Sequence, residues 1–349
     1  MNRRQILWTL LTGSLVSMTK TPSLALQIPK KDNFSPINVM IPSSYKDQLP
    51  YKKNSNYQYR LAQSILDFIS DHYADRTLPV WRKRLSSVDM EKRVINIAYW
   101  IVRAVEKNSR IYPIDPAWIS AQIMTESFFY EFAVSWAFAV GICQFIPRTA
   151  KHYGMITADS TKLDHSLLQC PALAKELDRF YALSKKRRHL IQKNKKLFIH
   201  TERYLRETLL ALTGQKEISQ AQVALNVLDQ AETLRVKITE ARKNYQHFLR
   251  ANFHDKSIFN QRDLSFLNQF DQRVTYKKPI YKMVQMMAEH LKARGGNILV
   301  ATAGYNAGLP STASNEYIYR YYGRIPAYSE TTSYLSRIVA NHHEIVKRL

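Results

Sequence analysis

The segment AQIMTESFF, residues 121–129, identifies the helix around which the fold is predicted to form. Asp115 followed by Pro116 supplies an N-cap and a first-turn proline, a combination typical of a helix start. Residues spaced by four, three and four positions then share one face of that helix. They are Ile119, Ile123, Glu126 and Tyr130. The pattern predicts a largely apolar face that carries a single carboxylate.

The carboxylate of Glu126 stands beside Phe128 and Phe129 in the sequence. A carboxylate in apolar surroundings is costly unless it is neutral or paired. Desolvation would raise its pKa towards a value at which the group still donates a proton near neutral pH. Raising the pKa of a Glu from about 4.3 to about 6.5 costs roughly 3 kcal/mol, which favours a functional role. For this residue alone, the simpler alternative is a partly solvated or capped Glu at a helix edge.

Three more motifs follow the Glu126-Ser127 pair along the chain. They are Gly141-Ile142-Cys143-Gln144, GYNAG at 304–308 and IPAYSETTSYL at 325–335. This ordered set resembles the lytic transglycosylases of the soluble-Slt type, which are relatives of goose-type lysozyme. That family has a Glu-Ser pair, then Gly-Leu-Met-Gln, then Ala-Tyr-Asn-Ala-Gly, and finally an Ile-Pro…Glu-Thr…Tyr segment. The resemblance covers about 92–154 and 276–349, and it implies an all-α, lysozyme-like catalytic domain.

The chain departs from the family pattern at four positions. Phe128 and Phe138 stand where the family usually has Gly, Cys143 replaces a Met, and Gly304 replaces an Ala. The two phenylalanines could narrow the cleft and so change the preferred glycan. None of the four departures removes the acid or the polar groups of the motifs.

The resemblance implies a peptidoglycan lytic transglycosylase that uses Glu126 alone, first as acid and then as base. Such an enzyme cleaves the MurNAc-β-1,4-GlcNAc bond and leaves 1,6-anhydroMurNAc ends. By family position, the predicted substrate-binding residues Ser135 and Gln144 would hydrogen-bond sugar or acetamido groups. Tyr305 and Asn306 would line the site near Glu126, and Glu330 and Tyr334 would orient the cleft. Asn306 could instead belong to a helix C-cap, and Tyr334 could simply be a core residue.

Two other functions stay open at this stage. One is a hydrolytic muramidase on the same fold, in which Glu131, Asp159 or Asp164 would serve a water molecule. The other is a non-catalytic scaffold that binds the cell wall through a basic hairpin. Product analysis separates the first from a transglycosylase, since anhydro ends weigh one water less than reducing ends.

The composition fits an exported bacterial protein of the periplasm or cell envelope. Residues 1–25 have an arginine pair, a short apolar stretch and a small-residue cleavage site, so they are predicted to be a signal peptide. The net charge of +23 favours polyanionic partners, above all peptidoglycan with its stem-peptide carboxylates. No nucleic-acid recognition motif is present, and nucleic acid is not an expected partner. No Cys/His cluster indicates a metal site, and no cofactor is predicted.

The two cysteines allow two readings. Cys143 and Cys170 could form a disulfide in an exported chain. Because Cys143 occupies a family Met position, it is more simply read as a small hydrophobic core residue.

The remaining sequence organises the chain around this catalytic domain. An extended lead is predicted at 26–57, an N-terminal helical extension at 58–91, and the catalytic domain at 92–349. An insertion at 160–270 interrupts that domain and is predicted to be an antiparallel, coiled-coil-like hairpin with arms of 35–40 residues, turning near Gly214. Its second arm repeats apolar residues at alternating spacings of four and three. These are Val227, Ala231, Leu234, Ile238, Ala241, Tyr245 and Phe248.

The first arm of this hairpin has a looser apolar stripe and a basic run. The stripe is Leu173, Leu177, Phe180, Leu190, Leu205, Leu209 and Leu212. The basic run is Lys185, Lys186, Arg187, Arg188, Lys193, Lys195 and Lys196. This run is either an ordinary solvated face or an arm that docks on a protein partner or an anionic envelope surface.

Overall fold

The computed structural model describes residues 39–199, 204–207, 209–210 and 219–349. This part of the chain is helical, and the only β pairing within it consists of isolated bridges, so the predicted all-α class is confirmed. Within these residues, no helix combines the length and apolar character that a membrane crossing requires. The helices are α1 (Pro50–Lys53), α2 (Tyr57–Tyr73), α3 (Met90–Asn108), α4 (Pro116–Ser127), α5 (Pro147–His152), α6 (Glu176–Lys193), α7 (Lys195–Ile199), α8 (Ser219–Phe253), α9 (Gln261–Phe270), α10 (Lys277–Ala293), α11 (Ile298–Ala307), α12 (Tyr317–Tyr322) and α13 (Ser329–Arg348).

Helix α4 lies at the centre of the core, where it packs against α3 and α13. Nearly all of its side chains are buried, including Trp118, whose Nε1 donates to Thr302 Oγ1 of α11 at 3.1 Å. Helix α10 packs against both α3 and α11 and completes the bundle. This packing brings the last turn of α4, which carries Glu126, next to α13.

Side-chain caps begin the helices that frame the site, as the sequence predicts. Asp115 accepts a hydrogen bond from a backbone N–H of the first turn of α4 at 2.9 Å, and Pro116 fills the first helical position. Asp89 caps α3 and Asn297 caps α11 in the same way, at 3.1 and 3.2 Å. Each cap satisfies a backbone donor that the helix itself leaves without a partner.

Helix α4 ends earlier than the sequence pattern predicts. Phe128 and Phe129 have φ angles of 51° and 61°, which is the left-handed region and terminates the helix directly after Ser127. Tyr130 therefore lies beyond the helix, and the prediction that it shares a helical face with Glu126 is wrong. The short helix places the Glu126 carboxylate one residue from the end of α4.

The predicted extended lead is packed over the part of it that the structure describes. In residues 39–57, Leu49 is fully buried and Ile41 N donates to Gly296 O at 2.9 Å. Tyr112 OH also donates to Ile41 O, at 2.6 Å. The prediction of an extended segment is thus wrong for 39–57, because its apolar residues and backbone find partners in the catalytic bundle. The predicted signal peptide at 1–25 and the rest of the lead lie outside the described residues.

The predicted N-terminal extension joins the same bundle through α2. This helix packs against α3 and α13, with its predicted inward-facing residues buried. The turn after α2 reaches the end of the catalytic helix, where Trp81 Nε1 donates to Phe128 O at 2.8 Å. The Tyr73 ring meets the Phe128 ring edge-on, with centroids 4.9 Å apart. The extension therefore supports the C-terminal end of α4.

The predicted helical hairpin is present between the second and third motifs. Helices α6 and α8 pack along each other, and α8 spans 35 residues, within the 35–40 residues predicted for each arm. The heptad positions of α8 are buried from Ala231 to Phe248, and Val227 is half-buried. Alternating spacings of four and three thus identify the contact face correctly.

The first arm differs from the prediction of one long helix. Helix α6 ends at Lys193, and Asn194 separates it from the short α7. Leu205 and Leu209, assigned to the apolar stripe, are 56% and 52% exposed. The looser stripe of this arm therefore does not continue to its far end. The predicted turn near Gly214, and Leu212, lie outside the described residues.

The two phenylalanines that replace family glycines keep a glycine-like backbone and are buried under accessory elements. Phe138 has a φ angle of 62°. Its ring centroid lies 5.0 Å from that of Phe180 in α6 and 5.1 Å from that of Tyr245 in α8. Phe128 packs under the N-terminal extension instead, and both rings are at most 3% exposed. The expectation that they narrow the cleft is therefore wrong. Phe138 anchors the inserted hairpin, and Phe128 anchors the extension.

Replacing Phe138 with Gly is expected to destabilise the protein by about 2–3 kcal/mol. Loss of a buried Phe ring costs about 3–5 kcal/mol, whereas relief of the left-handed backbone returns about 1–2 kcal/mol. Equilibrium unfolding in urea measures the difference. Phe138→Ala is the matched control: it lacks the same ring without gaining the backbone relief, and it should be about 1 kcal/mol less stable than Phe138→Gly. An unchanged free energy of unfolding for Phe138→Gly would show that this ring does not anchor the hairpin.

Candidate active site

Glu126 is half-buried at the end of α4, so it is more accessible than its apolar sequence context predicts. Tyr334 of α13 donates a hydrogen bond from its hydroxyl to Glu126 Oε1 at 2.6 Å. The same hydroxyl accepts a hydrogen bond from Gln122 Nε2 at 3.1 Å. Tyr334 is itself 3% exposed, so the hydroxyl is held in one place. The result is a chain from Gln122 through Tyr334 to one oxygen of the carboxylate.

Gln122 is a member of the site that the sequence prediction missed. Its side chain is fully buried, and its Oε1 atom has no hydrogen-bond partner among the described residues. Gln122 precedes Glu126 by four residues, so both side chains lie on the same face of α4. That spacing was the available signal, but the partner of Gln122 lies 212 residues away in α13. An isolated amide in a helix does not reveal so distant a partner.

The loop that follows α4 folds back against the end of this helix. Ser127 Oγ donates to Ile142 O at 3.0 Å, so the second residue of the Glu-Ser pair fixes the loop. Ser135, predicted to bind sugar, is half-buried and accepts hydrogen bonds from the backbone N–H groups of Ala137 and Ala139 at 3.2 and 2.9 Å. Its hydroxyl oxygen thus organises the loop, and its hydroxyl hydrogen is the part that can reach a ligand.

The inserted hairpin contacts this loop directly. Gln246 Nε2 of α8 donates to Ser135 O at 3.0 Å. Arg242 of α8 lies over the Trp136 ring, with its Cζ atom 3.6 Å from the ring centroid. Burial lowers the pKa of the Arg242 guanidinium to about 10. These contacts fix the position of Ser135 from the side of the insertion.

Gln144, the other predicted sugar ligand, has its side chain turned towards its own loop. Its Nε2 atom donates to Gly141 O at 2.8 Å and to Ala133 O at 3.3 Å, and its φ angle is 49°. Two backbone carbonyls therefore orient the amide group. Gln144 Oε1 accepts no hydrogen bond from the described residues, so this oxygen is the group that can meet a substrate N–H or hydroxyl.

A buried ion pair stabilises the loop that carries Gln144. Arg273 is fully buried and forms two hydrogen bonds to Asp271, at 2.8 and 2.6 Å. Its remaining terminal nitrogen donates to Phe138 O and Phe145 O, at 2.8 and 3.0 Å. Removing either residue would leave the other as an unpaired buried charge, which is costly because neither has access to water. The sequence does not reveal this support, because Arg273 is 135 residues from Phe138 along the chain.

Gly141 is required where the loop passes over the buried arginine. Its φ angle is 80°, and a Cβ atom at this position would lie 1.8 Å from Arg273 O. The glycine of the second motif is thus explained by close backbone approach as well as by its left-handed conformation.

Tyr305 links the third motif to this loop. Its hydroxyl donates to Cys143 O at 2.7 Å, and its ring centroid lies 5.9 Å from that of Phe145. Burial, with the nearby charge of Glu126, raises the pKa of Tyr305 well above its usual range. Burial and the charge of Glu126 likewise raise the pKa of the Cys143 thiol. Both groups therefore stay protonated near neutral pH, and neither competes with Glu126 as a proton acceptor.

The other predicted residues lie on α11 and α13. Asn306 Oδ1 accepts a hydrogen bond from Thr331 Oγ1 at 3.0 Å. Gly308, with a φ angle of 88°, forms the C-cap of α11, so Asn306 lies inside the helix. Glu330 is half-buried in the first turn of α13, next to Thr331. The structure brings Tyr334 into direct contact with Glu126 and joins Tyr305 to the loop of Gln144. Ser135 contacts its own loop and the inserted hairpin.

The three carboxylates considered for the alternative function, a hydrolytic muramidase, form hydrogen bonds or ion pairs within the fold. Glu131 is 1% exposed, and both of its carboxylate oxygens accept hydrogen bonds from the Arg93 guanidinium, at 2.7 to 3.1 Å. Asp159 pairs with Lys151. Asp164 caps a short turn, and the hydrogen bond from the Ser166 backbone lowers the pKa of this carboxyl group.

The cysteines are free thiols, with Cys143 buried and Cys170 exposed. Cys143 thus packs as a small hydrophobic residue, and the disulfide is not formed. Across the described residues there is no group of three or more His, Cys, Asp or Glu side chains arranged to hold a metal ion.

Residues 103–175 match the family model for the transglycosylase SLT domain. Residues 103–175 are thus similar to transglycosylase SLT domains, and this similarity supports lytic transglycosylase activity in general and peptidoglycan as the substrate class. The matched segment includes Glu126, Ser135 and Gln144, whereas the residues of the third and fourth motifs lie beyond it. No curated protein and no solved structure gave a significant match.

Replacing Tyr334 with Phe is expected to lower the rate of peptidoglycan lysis by about 10- to 100-fold, because a hydrogen bond to a charged group is worth about 1.5–3 kcal/mol. The variant retains the buried ring but no longer fixes the carboxylate of Glu126. Initial lysis rates on purified peptidoglycan, with thermal unfolding measured in parallel, test this. Tyr59→Phe, at a 60% exposed position, is the matched control and should keep full activity. A Tyr334→Phe enzyme as active as the control would show that this hydrogen bond does not serve catalysis.

Proposed function

We propose that the protein cleaves the MurNAc-β-1,4-GlcNAc bond of peptidoglycan and forms 1,6-anhydroMurNAc ends, with Glu126 as the single acid and base. The observation that carries the proposal is the 2.6 Å hydrogen bond from Tyr334 to Glu126 Oε1. It fixes the position of the Glu126 carboxylate, the group proposed to exchange a proton with the substrate. The roles given to the other predicted residues rest on the family positions that they match.

The reaction begins with proton transfer from Glu126 to the oxygen that links the two sugars. The bond from that oxygen to C1 of MurNAc breaks, and positive charge develops at C1. The substrate's own N-acetyl group relieves this charge, in place of a second protein carboxylate. The ionised Glu126 then removes the proton from the 6-hydroxyl of the same sugar, whose oxygen attacks C1. No water is consumed, and Glu126 ends in its initial protonated form.

Two features of the structure support a single-carboxylate mechanism. Glu131 and Asp159 are each engaged in an ion pair and Asp164 in a cap, so the carboxylates considered for a hydrolase already have structural roles. The high pKa of Tyr305 and of Cys143 keeps two further groups near Glu126 neutral. Gln144 Oε1 and the Ser135 hydroxyl are proposed to bind the acetamido or hydroxyl groups of the sugars.

Borohydride treatment of the products separates this reaction from its rivals. Reducing ends made by a hydrolytic muramidase are converted to sugar alcohols, whereas 1,6-anhydro ends resist reduction. We expect new ends that resist borohydride. Reducible ends would instead assign a hydrolase, and binding to peptidoglycan without any release of soluble fragments would assign a scaffold that acts through its basic hairpin.

We also propose that the protein is exported to the periplasm or cell envelope, which rests on the signal-peptide pattern at 1–25. The basic run of the hairpin is proposed to dock on an anionic envelope surface or a protein partner. Lys185, Lys186 and Arg188 are exposed on α6, whereas Arg187 is half-buried and donates to Ala231 O at 3.2 Å. Fractionation of cells that express the full chain tests the first proposal, and recovery in the cytoplasm would contradict it.

A further inference from the structure

A concave site that does not include Glu126 lies between α3, α9 and the first turns of α10. Its volume is about 870 Å³, which lies within the range of ligand-binding pockets in proteins. None of the predicted substrate-binding residues lines it, and no carboxylate does. Its lining includes Lys107 from α3 and Lys277, Lys278 and Lys282 from α10. The cavity thus concentrates positive charge on one side of the bundle.

The charges of this cavity are not neutralised within the described part of the chain. None of its four lysines forms an ion pair with a carboxylate there. Lys278 Nζ donates to Gln272 Oε1 at 2.7 Å, and Lys282 Nζ donates to Gln285 Oε1 at 3.0 Å, so both have neutral amide partners. Burial and the nearby charge of Lys282 lower the pKa of Lys278. A bound anion would relieve this repulsion.

Aromatic and amide side chains form the rest of the wall. Lys277 Nζ lies 5.2 Å from the centroid of the Trp100 ring, and Lys107 Nζ lies 5.5 Å from that of Tyr281. The two rings meet edge-on, with centroids 6.3 Å apart. Tyr276, also in the lining, is 5% exposed, and its hydroxyl has no hydrogen-bond partner among the described residues. Aromatic rings present flat apolar surfaces on which the C–H faces of sugars can pack.

We propose that this cavity is a second binding site and that it takes an anionic saccharide. The lysines match carboxylate or phosphate groups, the aromatic rings match sugar faces, and Asn96 and Asn268 offer hydrogen bonds to hydroxyl or acetamido groups. A concave site of this size fits a disaccharide-sized unit better than a flat membrane surface. Two sources carry this chemistry: a peptidoglycan strand with stem-peptide carboxylates, and a separate phosphate-bearing wall glycopolymer.

The proposal goes beyond the proposed reaction and is tested by binding rather than by turnover. The full-length chain carrying Glu126→Gln is used, so that no probe is cleaved. Lys277→Ala/Lys282→Ala removes two charges from the cavity. Lys46→Ala/Lys83→Ala removes the same charge from exposed positions outside both the cavity and the basic run of the hairpin, and is the matched control. The probes are peptide-bearing glycan fragments, peptide-free fragments made only of β-1,4-linked N-acetylglucosamine, which carry no charge, and glucosylated polyglycerol phosphate.

We expect the cavity variant to bind the charged probe about 5- to 10-fold more weakly than the control variant, at equal thermal stability. Weakening for the peptide-bearing fragments alone assigns the stem-peptide carboxylates, and weakening for the phosphate polymer assigns the wall polymer; either result supports the site. Equal weakening in both double variants would reduce the effect to general charge attraction and overturn the proposal. Unchanged binding in the cavity variant would overturn it as well.

The aromatic wall has its own test with the uncharged probe. Trp100→Leu, in the same Glu126→Gln background, should weaken binding of the peptide-free fragments by several-fold, whereas the lysine variants should leave it nearly unchanged. Equal affinity of the Trp100→Leu protein and its parent for every probe would contradict a saccharide as the ligand. A failure of the proposed reaction would appear as missing anhydro ends and would leave these binding results as they are.

Discussion

Replacing Glu126 with Gln is expected to lower the rate of peptidoglycan lysis by about 10²–10⁴-fold, the range that a positioned general acid or base contributes. Gln fills the same space and can still accept the hydrogen bond from Tyr334, but it has no proton to give to the glycosidic oxygen. Because Glu126 is half-buried and Gln keeps the size of its side chain, the fold should survive. Initial rates on purified peptidoglycan measure the loss.

The control for this experiment is Glu91→Gln, the same change at an exposed position in the first turn of α3. It should lyse peptidoglycan at the wild-type rate. The melting temperature of both variants should stay close to that of the wild type. A Glu126→Gln protein that lyses at near wild-type rates would remove Glu126 from the catalytic role, whatever the state of the remaining motifs.

Replacing Arg273 with Met is expected to cost about 3–5 kcal/mol of stability, because it leaves the buried Asp271 carboxylate without its partner. The same change removes the arginine donor from the carbonyl groups of Phe138 and Phe145, and only Phe145 O keeps another donor, Val140 N. Since these carbonyls belong to the loop that carries Gln144, activity should fall even where the protein remains folded. Urea unfolding gives the stability change, and lysis rates well below the unfolding transition give the activity.

Arg235→Met on the hairpin is the matched control for this change. Arg235 pairs with Glu232 at an exposed site, with side chains 47% and 55% exposed. Exposed pairs contribute little because water screens them, so no measurable destabilisation is expected. A loss for Arg273→Met no greater than that for Arg235→Met would contradict the role given to the buried pair.

Local patterns in the sequence predicted much of this fold, because the physical causes are themselves local. Asp115 and Pro116 start α4 through a cap and a fixed φ angle, and neither depends on tertiary contacts. The heptad spacing in α8 likewise identifies its buried face, from Ala231 to Phe248. The spacing of apolar residues does not predict the structure where tertiary contacts determine where a helix or a buried stripe ends. The loose apolar stripe of the first arm did not continue to Leu205, and α4 ended before Tyr130.

The contacts that complete the site join residues far apart in the chain. Tyr334 meets Glu126 across 208 residues, and Arg273 meets Phe138 across 135. No periodicity within one helix contains such a partner, so Gln122 and Arg273 were missed. The motif order did indicate that Tyr334 belongs with Glu126, through the family resemblance rather than through spacing. For Phe138, the resemblance showed a departure from Gly, and only the structure showed that the inserted hairpin uses its ring.

The most direct measurement of the central claim is mass spectrometry of soluble fragments released from purified peptidoglycan by the wild type and by Glu126→Gln, side by side. The account predicts that the wild type releases muropeptides one water lighter than reducing-end products, and that Glu126→Gln releases almost none. Reducing-end products from the wild type, or equal amounts of anhydro-muropeptides from both proteins, would contradict it.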